Sequence, residues 1–391
     1  MKGMQQDGKL VILLENRIDT NNAAAAEQEI RGIMAEHAGL EVVFDAKELE
    51  YISSAGLRVL MKVRKMYDKP LQLRSVSRDI YDILETTGFT EIFQVQKAYR
   101  RVSIDGLEMI GKGFCGTVYR LDAETIVKVY EGKDSIPVIE NEKQMAQKAF
   151  LAGIPTAISY DIVQVGDNYG SVFELLNAKT FHDMAKEGEE PLEQVIQKYV
   201  DMLKLVHQTK MKSGDFPSCK ERYLEYLEYV RTLLKDEQYE GLRKLLLDME
   251  EEYGVVHGDI QMKNVMQTGD EAMLIDMDML GLGNPVFEFA GLYVTYQAFE
   301  EDDPDNAMSF LGMSQGLVEE IWYLIVEKYF SFHDVEERDR ILSKIQLTGS
   351  LRFLYLLASS GLLSGDLGKR RVEHTKEHID ELLLKVDRLA I

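Results

Sequence analysis

The strongest constraint on this chain is where it sets oxygen-bearing side chains along apolar runs. The segment Val255-Val256-His257-Gly258-Asp259-Ile260-Gln261-Met262-Lys263-Asn264-Val265-Met266 places Asp259 and Asn264 beside residues that demand burial, and Met273-Leu274-Ile275-Asp276-Met277-Asp278 does the same with Asp276. Short apolar strands of this kind read as a buried pair, with two carboxylates and an amide at their mouths that a core would not tolerate unpaired. Oxygen donors of this type suit a hard cation such as Mg2+. An isolated Asp-x4-Asn is an ordinary turn, so the reading depends on what stands upstream.

Upstream, Ile126-Val127-Lys128-Val129-Tyr130 puts a lysine inside an apolar strand, which is costly without a partner. Either Lys128 lies at an exposed edge, or it reaches anionic phosphates and is fixed by a carboxylate of the next helix. Glu140 and Glu142 are the candidates. Glu142 is the better one, because Met145 and Phe150 set a core-facing stripe nearby. Before that strand, Gly111-Lys112-Gly113-Phe114-Cys115-Gly116 spaces three glycines as GxGxxG. Glycine lets a backbone lie close over phosphates with its N–H groups turned inward. Val118-Tyr119-Arg120 continues as strand instead of opening a helix, which favours a phosphate-covering hairpin over a dinucleotide-binding turn. Residues 106–112 fall short of a P-loop, because Gly113 stands where a magnesium-binding Ser or Thr is required.

In chain order, a glycine hairpin, a strand lysine, an Asp-x4-Asn loop and a later aspartate are the parts used in phosphoryl transfer. Residues 104–391 resemble the aminoglycoside phosphotransferase and choline kinase-like family, a branch of the protein-kinase fold, most strongly at 257–266 and 274–278. The resemblance implies an α+β bilobal protein kinase-like domain, with an N-lobe over 104–176, a hinge near 174–176 and a helical C-lobe over 177–391. It implies ATP and Mg2+ as cofactors. On the matching positions Asp259 is the catalytic base, Gly111, Gly113, Gly116, Lys128 and Glu142 serve the nucleotide, and Asn264 and Asp276 bind metal. His257 is expected to be structural. Gly258 replaces the arginine with which many protein kinases read a phosphorylated activation loop, and Gln261 replaces the loop lysine. The stretch from Asp276 to Glu288 is short and lacks Ala-Pro-Glu, so a peptide-binding segment has little room. The family usually carries Asp, one methylene shorter, at the position of Glu288. In the helical insert 192–252, Tyr199, Tyr223, Tyr226 and Tyr229 with Glu221, Glu225 and Glu228 suit a cationic acceptor. The same spacing also fits a solvated helix face with i,i+4 charge pairs.

The first hundred residues alternate strand and helix signals: strands over 9–16, 41–44, 71–76 and 91–95, and helices over 23–37, 53–67 and 79–87. This is an α/β pattern with helices packed on a sheet. Arg17-Ile18-Asp19-Thr20-Asn21-Asn22-Ala23, Val42-Val43-Phe44-Asp45, Tyr51-Ile52-Ser53-Ser54-Ala55-Gly56-Leu57 and the tail 79–89 resemble the STAS domain of anti-sigma factor antagonists, over 1–100. The resemblance places a regulatory phosphosite at Ser54, with Ser53 where Asp is common, and implies an anti-sigma-like protein partner. A serine at a helix start also reads simply as an N-cap.

Charge separates the two parts. Residues 1–100 carry 14 Lys+Arg against 15 Asp+Glu, whereas the whole chain stands at −22. That balance argues against nucleic acid, whose phosphates need a basic face, and against an anionic membrane surface. Two cysteines, Cys115 and Cys219, cannot build a disulfide framework, and no apolar run is long enough for a bilayer. The chain reads as cytoplasmic: an α/β STAS domain followed by an ATP/Mg2+-dependent phosphotransferase acting on a small-molecule hydroxyl acceptor. The alternatives are a protein serine kinase acting on its own or a partner's STAS domain, and a nucleotide-binding partner-switching regulator without catalysis.

Overall fold

The computed structural model describes residues 1–391 except 7, 67–70, 113–115, 133–134, 177 and 270. The chain divides into two compact units. One comprises Met1–Asp105 and Ile162–Gly170, the other Gly106–Asp161 and Ser171–Ile391.

The first unit is a five-stranded sheet with helices in its crossovers. Its elements are β1 (Lys2–Gln6), β2 (Lys9–Ile18), α1 (Ala23–Glu36), β3 (Glu41–Ile52), α2 (Ser54–Lys65), β4 (Gln72–Val76), α3 (Arg78–Thr86), β5 (Gln94–Lys97) and the short β6 (Arg100–Arg101). The sheet order is β1-β2-β3-β4-β5, with β1 antiparallel to β2 and the rest parallel. Its core joins Leu10, Ile12, Phe44 and Leu73 of the strands to Ile30, Leu60, Val63, Ile80 and Leu84 of the helices. Three elements differ from the sequence reading. β1 is exposed along its whole length, so it carries no apolar signal. β3 runs to Ile52 rather than stopping at Phe44, because register shifts against β2 turn its inward positions to Ala46, Leu49 and Ile52. The last strand begins at Gln94, after a 3-10 turn over Phe89–Glu91.

The start of α2 is tightly fixed. Ser53 is the N-cap, and its hydroxyl accepts from Ala55 N at 3.2 Å and Gly56 N at 3.5 Å. Ser54 is the first helical residue and is exposed. A Cβ on Gly56 would meet the Ile18 carbonyl at 2.5 Å, so only glycine fits there.

The second unit opens with β7 (Met109–Lys112), β8 (Thr117–Arg120), β9 (Thr125–Tyr130) and α4 (Ile136–Leu151); β10 (Asp161–Val165) belongs from Ile162 onward to the first unit, and β11 (Asn168–Glu174) belongs to the second from Ser171. β7, β8 and β9 are joined antiparallel, and β11 lies beside β9. In the first unit, Val163 and Gln164 of β10 pair in parallel with Arg100 and Arg101. Then come β12 (Lys179–Thr180), α5 (Phe181–Glu187), α6 (Leu192–Gln208), α7 (Cys219–Tyr229), α8 (Asp236–Leu247), β13 (Val255–Val256), β14 (Val265–Thr268), β15 (Glu271–Leu274), β16 (Gly281–Leu282), α9 (Val286–Tyr293), α10 (Gln315–Phe330), α11 (Val335–Ser359) and α12 (Gly365–Leu383). β14 and β15 form the hairpin that the apolar runs suggest, and β13 pairs with β16. One large core binds the helices to these strands through residues such as Tyr199, Tyr223, Phe287, Phe289 and Leu354. Among the described residues no helix is long and apolar enough to cross a membrane.

Candidate functional site

Lys128 points inward from β9 and is only 14% exposed. Its ammonium lies 3.1 Å and 3.3 Å from the two Glu142 carboxylate oxygens and 2.5 Å from Asp276 Oδ1. Burial alone would depress this lysine, but Glu142 and Asp276 hold it well above its ordinary value. Glu142 projects from α4, as the stripe through Met145 and Ala146 requires; Phe150, which the sequence reading also set on that stripe, is exposed. A residue with no part in the sequence reading completes this end. Tyr130, two places after Lys128 and on the same strand face, donates its hydroxyl to Glu142 Oε2 at 2.5 Å. Burial and Glu142 keep that phenol protonated. The i+2 spacing from Lys128 was the available signal.

Asp276 follows β15 in the left-handed region at φ 64°. A non-glycine residue held there marks a backbone fixed by its surroundings. The fixing is visible: Ile275 N donates to Asn264 O at 3.0 Å, and His257 Nε2 donates to Ile275 O at 3.2 Å. His257 Nδ1 accepts from Asp259 N at 3.3 Å. The histidine thus ties the two loops together.

Asp259 and Asn264 meet directly. Asn264 Nδ2 donates to Asp259 Oδ2 at 3.1 Å and to Asp259 O at 2.8 Å, and Gln261 Nε2 donates to both carboxylate oxygens at 3.2 and 3.3 Å. Gln261, noted in the sequence only as a replacement for lysine, therefore orients the Asp259 carboxylate. Asn264 has spent its N–H2 group on Asp259, so its side-chain oxygen is the atom left to accept. With Asp276 this gives a hard donor set of carboxylate and amide oxygens without sulfur or imidazole, which fits Mg2+.

Gly258 has φ +84°, and a Cβ there would lie 2.5 Å from Met279 O. Glycine is required by the close approach of the two loops. Glu288, 1% exposed on α9, accepts from His257 N at 2.6 Å and Gly258 N at 3.0 Å. Its extra methylene is accommodated and both oxygens grip the loop. Burial pushes this carboxyl up, yet His207, whose Nε2 lies 3.6 Å away, and the loop donors hold it below the ordinary glutamate value.

The glycine loop is described in part. Gly111 lies in β7 with room around it, and a Cβ on Gly116 would meet Val129 O at 2.3 Å. Gly113 and Cys115 lie outside the described residues. The Tyr and Glu residues of the insert separate cleanly. Tyr199, Tyr223 and Tyr226 are core residues, Tyr229 is exposed, and Glu221, Glu225 and Glu228 face solvent. Glu228 is bound by Tyr239. The glutamates thus lie on a solvated face of α7. Arg352 of α11 is hydrogen-bonded to Tyr223 and feels the Asp259 carboxylate.

Asp278 also escaped the sequence reading. Burial first, then the charges of Asp276, Glu142 and Asp259, push Asp278 from 3.8 to about 6, against the opposing effect of Lys128. A raised acid stabilises the fold only while protonated, so the cost appears as pH rises through 3.8 and is complete above 6. With chelator present, Asp278→Asn is expected to stabilise the second unit by roughly 3 kcal/mol at pH 8 and about 1.5 kcal/mol less at pH 5. Urea denaturation at the two pH values checks this; an equal gain at both contradicts it.

The phosphotransferase enzyme family matches residues 106–312, and the STAS domain matches residues 4–102. The putative anti-sigma factor antagonist BtrV of Bordetella bronchiseptica is 34% identical over 92 residues, covering 23% of this chain and 78% of that protein. Similar solved structures include the ADP-bound aminoglycoside phosphotransferase APH(2'')-Ib, at TM-score 0.46 and 14% identity over 73% of this chain and 94% of that one. A choline/ethanolamine kinase family protein from Mesorhizobium loti gives TM-score 0.45 at 14% identity, over 71% and 87%.

Proposed function

The chain belongs to the phosphotransferase enzyme family and carries a STAS domain at its N-terminus, and from that premise we propose that it transfers the γ-phosphoryl group of ATP to a hydroxyl of a small molecule. The carrying observation is the convergence of Lys128, Glu142 and Asp276 beside the Asp259–Asn264 pair. Lys128 neutralises phosphate oxygens and is kept in place by Glu142 and Tyr130. Asp259, oriented by Gln261 and Asn264, takes the proton of the attacking hydroxyl. Asn264 and Asp276 would hold Mg2+, which supplies charge neutralisation at the phosphates. Gly111, Gly113 and Gly116 serve the hairpin over the nucleotide. Such chemistry depends on alignment and fixed electrostatics more than on covalent catalysis.

In the first unit Ser54 is the regulatory phosphosite of this reading. Its exposed position in the first turn of α2 would set a phosphate at the positive end of the helix dipole, beside the Ser53 cap that already occupies the Ala55 and Gly56 N–H groups. The added charge would repel a partner shaped for a neutral hydroxyl, and that partner is an anti-sigma-like protein.

Incubation with radiolabelled ATP and Mg2+, wild type against Asp259→Asn, tests the scheme. Turnover with an aminoglycoside, amino-alcohol or hydroxy-acid panel that vanishes in the variant is the expected result. Label on Ser54 that vanishes in the variant, without small-molecule turnover, replaces it with a serine kinase. Nucleotide-dependent thermal stabilisation without any transfer leaves a binding-only regulator.

A further inference from the structure

Away from the phosphoryl-transfer cluster, α12 carries His374 and His378 one helical turn apart, facing an acidic loop. That loop, Glu300-Glu301-Asp302-Asp303-Pro304-Asp305, is the densest run of carboxylates in the second unit's surface loops. His378 Nδ1 lies 3.6 Å from Glu301 Oε2; His374 Nδ1 lies 3.4 Å from Asp302 Oδ2 and 3.9 Å from Glu301 Oε2. Ligating atoms of Glu301, His374 and His378 all fall within 4.8 Å of one another. A tetrahedral Zn2+ with bonds of about 2.0–2.1 Å keeps its ligands roughly 3.3 Å apart. The observed separations are therefore close to the edges of such a tetrahedron before any ion draws them in.

The surroundings hold this arrangement without an ion. Arg371, one turn before His374 on the same helix face, donates to Phe299 O at 3.2 Å and pairs with Asp303 at 3.6 Å. It pins the loop against α12 at its base. Tyr293 donates its hydroxyl to Glu301 Oε1 at 2.8 Å, so Oε2 is the oxygen left toward the histidines. Metal-binding carboxylates are commonly oriented by such an outer donor. The Gln346 amide approaches His378 Nδ1 at 3.4 Å, a long contact that a nitrogen–metal bond would displace. The four side chains are 13–37% exposed, open enough for an aqueous ion to enter.

We infer that Glu301, Asp302, His374 and His378 form a binding site for a transition-metal dication of the zinc type, separate from the site for the nucleotide's metal. Two imidazoles select Zn2+ over Mg2+. Two neutral imidazoles and two carboxylates leave a dicationic site neutral. The ion would strap the C-terminal helix to the loop that follows α9.

The test is calorimetric titration of the chelator-stripped full chain with Zn2+ at pH 7.5, with Mg2+ in excess to cover the other acidic cluster. One Zn2+ per chain is expected, with affinity at least about 100-fold weaker in His374→Ala/His378→Ala and about tenfold weaker in Glu301→Gln or Tyr293→Phe. Metal-free wild type and variants should show the same circular dichroism. If the double variant does not fold, Co2+ added to wild type decides: a visible ligand-field band of a tetrahedral nitrogen–oxygen site, bleached by Zn2+ and not by Mg2+, is required. Zn2+ bound equally well by the folded double variant, or no Zn2+ bound in excess Mg2+, overturns the site. Neither outcome bears on phosphoryl transfer, because none of these residues belongs to that cluster.

Discussion

Asp259→Asn is expected to lower kcat by about 10²–10⁴-fold, the range attributed to a positioned general base, while nucleotide affinity stays within about threefold. The reason is the division of labour in the cluster. Asp259 touches Asn264 and Gln261 and makes no bond to Lys128, Glu142 or Asp276. Replacing one carboxylate oxygen by an amide nitrogen removes the proton acceptor and leaves the phosphate-facing groups where they were. Lys128→Met should do the reverse in part, raising the KM for ATP as well as lowering kcat, because it removes a charge at the phosphates and leaves Glu142 buried without its cation. Steady-state kinetics on both variants, with fluorescence titration of nucleotide, measure the split. A kcat for Asp259→Asn within tenfold of wild type removes Asp259 from the base role, whatever the acceptor.

How much of this site the sequence reveals depends on whether a residue breaks a local pattern. Lys128 does so, as a charge within Ile126–Tyr130, and its partner follows from the next helix's apolar stripe. Asp259, Asn264 and Asp276 likewise stand out against Val255-Val256 and Met273-Leu274-Ile275. Tyr130 breaks nothing, since an aromatic suits a strand, so its bond to Glu142 is invisible until the strand face is known. Asp278 looks like a second exposed acid; its burial beside three carboxylates is a tertiary fact. The fold shows the same limit. β3 is legible to Phe44 by its apolar run, and then its inward residues fall three apart at Ala46, Leu49 and Ile52, a spacing created by register shifts against β2. No period-two pattern could reveal it. The tyrosines and glutamates of α7 were ambiguous because an amphipathic helix and a lined pocket share one periodicity.

Glu288→Ala is expected to destabilise the second unit by roughly 2–6 kcal/mol, since two buried N–H groups each lose an acceptor at about 1–3 kcal/mol. Against a typical total of about 5–15 kcal/mol, that loss is large. The opposing effect is desolvation, since removing a buried charge can stabilise a fold. The direction of the Glu288 shift decides between them. Its carboxyl sits below the ordinary glutamate value despite complete burial, so the loop N–H groups and His207 outweigh the desolvation cost. By the same sign, its contribution is present above the unfolded glutamate value of 4.5 and is lost as pH falls through the lower folded value. Glu288→Gln should lose about half as much, because one oxygen still accepts while the amide nitrogen faces an N–H. Glu288→Asp should lose least, at the expense of drawing His257 and Gly258 toward α9. Because Asp259 follows directly, kcat should fall in the order Asp, Gln, Ala even in the folded fraction, with nucleotide affinity little changed. Urea denaturation and kinetics on the three variants measure both effects. A loss below about 1 kcal/mol for Glu288→Ala would mean that water replaces both loop bonds and that the catalytic loop holds its shape through the His257–Ile275 bond instead.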